Sequence, residues 1–231
     1  MKYKVRFDLE LNKNPYKGLY VALEGIDGSG KTTQAKNLAA YFKGQGREVV
    51  VTQEPSRTGA VGKLVHEVLQ SKVKIPKIAI QYLFSADRAI HQEELIIPSL
   101  KKGKIVISDR AFWSGVGYGI LDKGGVKNAI DASNQLMVAL SILSNYHQFV
   151  APDETIYLDV PVTVAIDRIT HMNRKAELYE KSELLEKVKE IYEWMVKEFK
   201  GAFTSVDGSK NEKEITKEII EQLEKIDKFA I

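Results

Sequence analysis

Apolar and charged residues alternate strictly at the start of the chain: Tyr3, Val5, Phe7, Leu9 and Leu11 against Lys2, Lys4, Arg6, Asp8 and Glu10. A period of two marks a strand with one buried face, so residues 1–17 are read as a strand-like extension. The apolar run 19–23 predicts a strand buried on both sides. From Thr33 the pattern changes to helical spacing, with Ala35, Leu38, Ala39 and Phe42 on one face until Gly44 and Gly46 stop it. Further strands are predicted at 48–52, 104–109, 155–159 and 203–206. Helices are predicted near 61–69, over 78–100, 129–143, 162–171 and 182–199, and over the charged stretch 212–226. Strands thus alternate with helices. The economical solution is an α/β fold in which a parallel five-stranded sheet carries helices on both faces, with residues 18–231 forming one domain.

The segment joining the first buried strand to the first helix reads Gly25-Ile26-Asp27-Gly28-Ser29-Gly30-Lys31-Thr32-Thr33, which fits G-x-x-x-x-G-K-[ST] with both flanks correct. Glycines there let successive backbone N–H groups turn around phosphate oxygens. Lys31 reaches the outer phosphates, and the Thr32 hydroxyl is placed to ligate magnesium. The chain is therefore expected to hold a nucleoside triphosphate. The strand at 104–109 ends on Asp109, a carboxylate of the kind that orients a magnesium shell in such proteins.

Composition narrows the reading further. The 231 residues are 44% hydrophobic, enough for one substantial core. A net charge of +3, with Lys and Glu interleaved, gives no case for nucleic-acid binding. The chain has no cysteine, which excludes disulfides, thiolate catalysis and zinc–thiolate sites. The four histidines, His66, His91, His147 and His171, lack metal-ligand spacing and are read as structural or surface residues. No apolar run is long enough to span a membrane and the N-terminus has no signal-peptide core, so a soluble, cytoplasmic protein is expected.

Three later segments choose among the users of such a loop. Leu83-Phe84-Ser85-Ala86-Asp87-Arg88, the region Asp109-Arg110 with Ser114 and Tyr118 (D-R-x-x-x-S-x-x-x-Y), and Tyr157-Leu158-Asp159-Val160-Pro161 resemble, in order and spacing, the motifs of the thymidylate kinases, a family of P-loop nucleoside monophosphate kinases. With Glu24 to Gln34 the resemblance runs from about Gly18 to the C-terminus. It implies transfer of phosphate from ATP to dTMP with Mg²⁺, in dTTP biosynthesis, by a homodimer.

The resemblance also implies roles. Phe84 would stack on the acceptor base and Arg88 would donate to a base carbonyl. Arg110 and Arg57 would hold the acceptor phosphate, Ser114 and Tyr118 would line the same site, and Asp27 would face the sugar. Family members carry a transfer arginine either in the P-loop or in a lid. Gly28 and Ser29 fill the loop positions here, so the lid at about 170–182 must supply it, with Arg174 as the candidate and Arg168 as an adenine-side or phosphate contact. The sequence departs from the family at Ala111 (usually Tyr or His), Gly119 (often Gln) and Gln53 (often Arg). Trp113 and Tyr118 are then available to refill the pocket. A different nucleoside monophosphate or a deoxynucleoside stays open as acceptor, as does a non-catalytic nucleotide switch.

Overall fold

The computed structural model describes residues 10–122, 129–146, 148–171 and 182–226. Five strands, β1 (Tyr20–Glu24), β2 (Val49–Gln53), β3 (Ile105–Asp109), β4 (Glu154–Asp159) and β5 (Thr204–Asp207), form one parallel sheet in the order β2-β3-β1-β4-β5. Side chains of a strand alternate between the two faces, and both faces here are apolar. Leu19, Val21, Leu23, Ile105, Ile107, Ile156 and Leu158 face one core with α1 (Lys31–Gly44) and α9 (Glu212–Leu223). On the other face, Tyr20 and Val106 pack with Ile96 and Leu100, while Tyr157 joins the largest core cluster.

That second face is covered by α2 (Gly59–Leu69), α3 (Lys77–His91), α4 (Ile97–Lys101), α5 (Phe112–Asp122), α6 (Ala129–Leu143), α7 (Val162–Thr170) and α8 (Ser182–Glu198). The helix predicted over 78–100 is interrupted. A π turn, Gln92–Ile96, separates α3 from α4, and Gln92 is anchored there by donating to the Val150 carbonyl at 3.2 Å. Helix α5 was not predicted. Its sequence FWSGVGYGILD is buried through residues 112–121, so it has no polar stripe for periodicity to find. It packs between α3, α6 and α8.

The strand expected at the N-terminus falls largely on residues 1–9, outside the described residues. Its end is tied down. Asn12 bridges to Val150 in parallel fashion and its carbonyl accepts from the Ala151 N–H at 2.9 Å. Asn14 donates to the Gly18 carbonyl at 2.8 Å and to Asp153 at 2.6 Å, and Asp153 also accepts from the Tyr20 N–H at 2.8 Å. Residues 12–17 thus lock onto the start of β1. The chain leaves β1 towards β2 on one side and later places β4 on the other, so a crevice opens at the carboxyl end of β1, where ligands of open α/β sheets gather.

Candidate functional site

The P-loop lies in that crevice. Gly28 has φ of 80° and its α-carbon approaches α7 so closely that a Cβ would meet the Ala165 carbonyl at 2.3 Å, so only glycine fits. Gly25 and Gly30 also have positive φ. Lys31 folds back into the loop, donating to the carbonyls of Ile26 at 2.8 Å and Gly25 at 3.1 Å. Burial, reinforced by the Arg110 charge, pulls its pKa down to about 8. Thr32 and Thr33 open α1, exposed to the crevice.

The Thr32 hydroxyl donates to Asp109 Oδ2 at 2.5 Å. These two oxygens, from the start of α1 and the end of β3, form a hard donor set suited to magnesium, which takes few protein ligands and completes its shell with phosphate and water. Among the described residues there is no cluster of three or more His, Cys, Asp or Glu able to hold a metal by itself.

Asp27 and Arg110 occupy the middle of the crevice. Arg110 Nη2 donates to Asp27 Oδ1 at 2.5 Å, and Nη1 donates to the Gly25 carbonyl at 3.0 Å and to Ser114 Oγ at 2.9 Å. Tyr118 donates to Asp27 Oδ2 at 3.2 Å. Burial works against the Asp27 charge, but Arg110 and Lys31 outweigh it and hold the carboxyl below its ordinary range. Arg110 itself has φ of 75°, a left-handed conformation that costs a non-glycine residue roughly 1–3 kcal/mol and that gathers at functional sites.

Arg110 is held by a residue that sequence reasoning left without a role, Glu24. This carboxylate, fully buried at the end of β1, accepts from the Ala111 and Ser114 N–H groups at 2.8 and 3.1 Å, from Ser114 Oγ at 2.6 Å and from the Tyr192 hydroxyl at 2.7 Å. It therefore caps the entry to α5 and reaches Arg110 through Ser114. Ser114, expected to touch substrate, is occupied in this positioning.

The base end of the crevice is built by α3. Phe84 and Arg88, four residues apart on one helix face, line a pocket with Asp27, Pro55, Arg110 and Tyr118. Arg88 Nε donates to Glu54 Oε2 at 2.5 Å, Nη2 donates to the Ala111 carbonyl at 3.3 Å, and the guanidinium lies 4.5 Å from the centre of the Tyr146 ring. Its Nη1 is buried without a hydrogen-bond partner. Burial opposes ionisation of Glu54, but the Arg88 charge and the His91 contact overcome it and lower its pKa. The neighbouring Asp87 fixes the loop after β2, accepting from the Ser56 N–H and hydroxyl at 2.7 and 2.5 Å.

Two expected residues sit elsewhere than at a ligand's edge. Arg168 spans from the P-loop carbonyls of Gly28 and Ser29, at 3.4 and 3.3 Å, to the Gly208 carbonyl at 3.0 Å, bracing the loop against the turn after β5. Trp113 faces away from the pocket and packs with Phe112, Phe199 and Phe203 in the core, so Tyr118 alone of the expected pair lines it. Arg57 is exposed on the loop beside Thr32, Gln53 and Asp109. Of the departures, Gly119 leaves no room for a side chain unless Ile142 moves, since a Cβ would come within 2.2 Å of Ile142 Cδ1. Ala111 serves the site through its backbone, donating to Glu24 and accepting from Arg88. Arg174 and most of the expected lid lie outside the described residues.

Asp27, Glu54, Pro55 and Arg110 line both the Phe84–Arg88 pocket and the cavity over Gly28, Lys31 and Thr32, so two binding spaces meet at one arginine. The chain is similar to known proteins in sequence and in fold. A family model described as thymidylate kinase matches residues 23–219. The probable thymidylate kinase of Thermococcus onnurineus is 40% identical over 183 residues, 75% of this chain and 82% of its own length. The thymidylate kinase of a Sulfurihydrogenibium species is 33% identical over 208 residues, 89% of this chain and 97% of its own. A solved thymidylate kinase from Candida albicans superposes with a TM-score of 0.74 at 25% identity, over 90% of this chain and 91% of its own. A P-loop joined through Asp27 and Arg110 to an aromatic, arginine-bearing pocket, on a sheet and sequence shared with these enzymes, makes the chain a member of the thymidylate kinase family.

Proposed function

We propose that the protein transfers the γ-phosphoryl group of ATP to dTMP, giving ADP and dTDP. The observation that carries this reading is the meeting of the two binding spaces at Asp27 and Arg110. A nucleotide switch has no use for the second space. In the transfer, a phosphate oxygen of dTMP forms a bond to the γ-phosphorus while the bond to the β–γ bridging oxygen breaks, and catalysis consists of positioning and charge stabilisation. Residues 25–33 hold the triphosphate, and Lys31 turns from its loop carbonyls to the outer phosphates. Arg110 sits where acceptor phosphate and migrating group meet. Phe84 stacks on the base, the free Arg88 Nη1 donates to it, and Asp27 and Tyr118 face the sugar. Magnesium, held through Thr32 and Asp109, would supply charge neutralisation between the β- and γ-phosphates.

Arg174 is assigned the transfer arginine and residues 170–182 the lid, because the loop itself offers only Gly28 and Ser29 at the corresponding positions. Arg57 is assigned to the acceptor phosphate and Arg168 to the donor side, where it braces the P-loop. We assign the protein to the cytoplasm as a homodimer, with residues 1–17 as a structural addition. No helix among the described residues is long and apolar enough to cross a membrane. Tyr82 on α3 and Met137 on α6, 66% and 67% exposed, are surfaces that a second copy would cover. The deciding experiment is coupled ADP release across the common nucleosides and nucleoside monophosphates. We expect dTMP to give the highest kcat/KM. ADP release with no acceptor, or with a ribonucleotide in preference, overturns the reading.

A further inference from the structure

Arg88 is aimed by Glu54, and Glu54 is in turn held from behind. His91, one turn beyond Arg88 on α3 and 6% exposed, places Nδ1 3.4 Å from Glu54 Oε1 and Nε2 2.7 Å from Thr52 Oγ1 on β2. Nδ1 faces the carboxylate as a donor, because a nitrogen lone pair there would be set against a carboxylate oxygen, and Nε2 meets the Thr52 hydroxyl. The π turn that interrupts the helix begins at Gln92, immediately after this histidine, and such turns gather at functional positions.

We propose that His91, anchored to β2 through Thr52, is a positioning residue for the acceptor base: it pins Glu54 Oε1 so that the carboxylate engages Arg88 through Nε alone and the guanidinium keeps the orientation in which Arg88 lines the pocket. The inference rests on the reading of Arg88 as the base donor. Without His91, Oε1 is buried with no donor, and the carboxylate can swing into a two-point fork with the guanidinium, the preferred geometry of an arginine–carboxylate pair. That swing turns the guanidinium out of the orientation in which Arg88 lines the pocket. The effect belongs to the acceptor, because the P-loop shares no hydrogen bond with His91.

The test is steady-state kinetics of the full chain with dTMP and ATP varied separately. His91→Leu should raise KM for dTMP about tenfold, the worth of one hydrogen bond to a charged group, and leave KM for ATP and kcat within about twofold. His91→Asn, whose amide N–H can stand near Nδ1, should recover most of the loss. Thr52→Val should raise KM for dTMP by about threefold, and it decides the matter if His91→Leu does not fold. Equal losses on both substrates, or no rescue by His91→Asn, reduce His91 to a fold residue and overturn the proposal. Arg88→Ala separates the two levels. If it leaves KM for dTMP unchanged, the acceptor-pocket reading falls and the proposal with it. If it raises KM while His91→Leu and Thr52→Val do not, only the positioning role is wrong.

Discussion

Two buried carboxylates, Glu24 closing β1 and Glu54 following β2, each steady an arginine in the same crevice, yet by opposite means. Glu24 is surrounded by neutral donors, namely two backbone N–H groups, a serine and a tyrosine, and touches Arg110 only through Ser114. Burial therefore dominates and its pKa rises. Glu54 takes the arginine directly, with His91 on its other oxygen, and its pKa falls. The difference matches what each arginine would do in the proposed function. Arg110 would need its charge available for phosphate, and its carboxylate stands one residue back. Arg88 would need direction more than free charge, because a base carbonyl is neutral, and its carboxylate is spent on fixing the guanidinium.

Removing the two arginines is the strongest way to break this comparison. Arg110→Ala should lower kcat on the order of 10²–10³-fold, because its contact strengthens as charge moves between phosphates. Lys31→Ala should do at least as much while leaving the fold intact, as judged by circular dichroism. If Arg110→Ala changed only KM for dTMP, the phosphate end and the base end would not differ in kind.

Replacing the carboxylates comes next. Glu54→Gln strips a buried guanidinium of its counter-charge and should cost about 3 kcal/mol in a urea melt, near the range for breaking a buried ion pair. Glu24→Gln keeps an oxygen for the Ala111 and Ser114 N–H groups, and its amide can donate to the Ser114 and Tyr192 hydroxyls, which rotate to accept. We expect a loss of about 1 kcal/mol. Equal losses would mean that the neutral cage around Glu24 matters as much as the charge pairing at Glu54.

A smaller effect is expected from Arg88→Ala, about a tenfold rise in KM for dTMP with kcat nearly unchanged, since one neutral acceptor is lost and Phe84 still stacks. Phe84→Ala should behave alike, and a matching rise in KM for ATP would remove both from the acceptor pocket.

What was legible in the sequence follows from the range over which each feature is set. The P-loop, the five strands and their order of appearance are local patterns, a glycine spacing and runs of apolar residues, and they stand where the sequence puts them. Phe84, Arg88, Arg110 and Asp27 were legible through motif resemblance, and the fold brings all four to one pocket. Helix α5 was not, because burial on every side erases the stripe that periodicity detects. Glu24 stands in a quoted motif and His91 in the histidine count, but their roles, like that of Glu54, depend on partners distant in sequence. Glu54 meets Arg88 across 34 positions and Glu24 meets Tyr192 across 168. The one local hint was the spacing of Arg88 and His91, three apart and hence on one face of α3.

The finest test of the comparison is its pH dependence, where the two carboxylates should act with opposite sign. A glutamate whose folded pKa is lowered, as at Glu54, contributes stability that is complete above the unfolded value of about 4.3 and is lost as pH falls through the folded value. A glutamate whose folded pKa is raised, as at Glu24, carries a penalty above its folded value, and that penalty is relieved as pH falls from there towards 4.3. Unfolding free energies of the parent protein, Glu24→Gln and Glu54→Gln, measured from pH 7 downwards, isolate the two terms by difference. Between neutrality and about pH 4.3 the parent should gain on Glu24→Gln, at about 1.4 kcal/mol for each unit by which the folded pKa is raised, while its advantage over Glu54→Gln stays level. Below that range the advantage over Glu54→Gln should shrink. If both differences ran in the same direction with pH, the two carboxylates would share one electrostatic environment, and the division of the crevice into a charge-reserving end and a charge-pairing end would not stand.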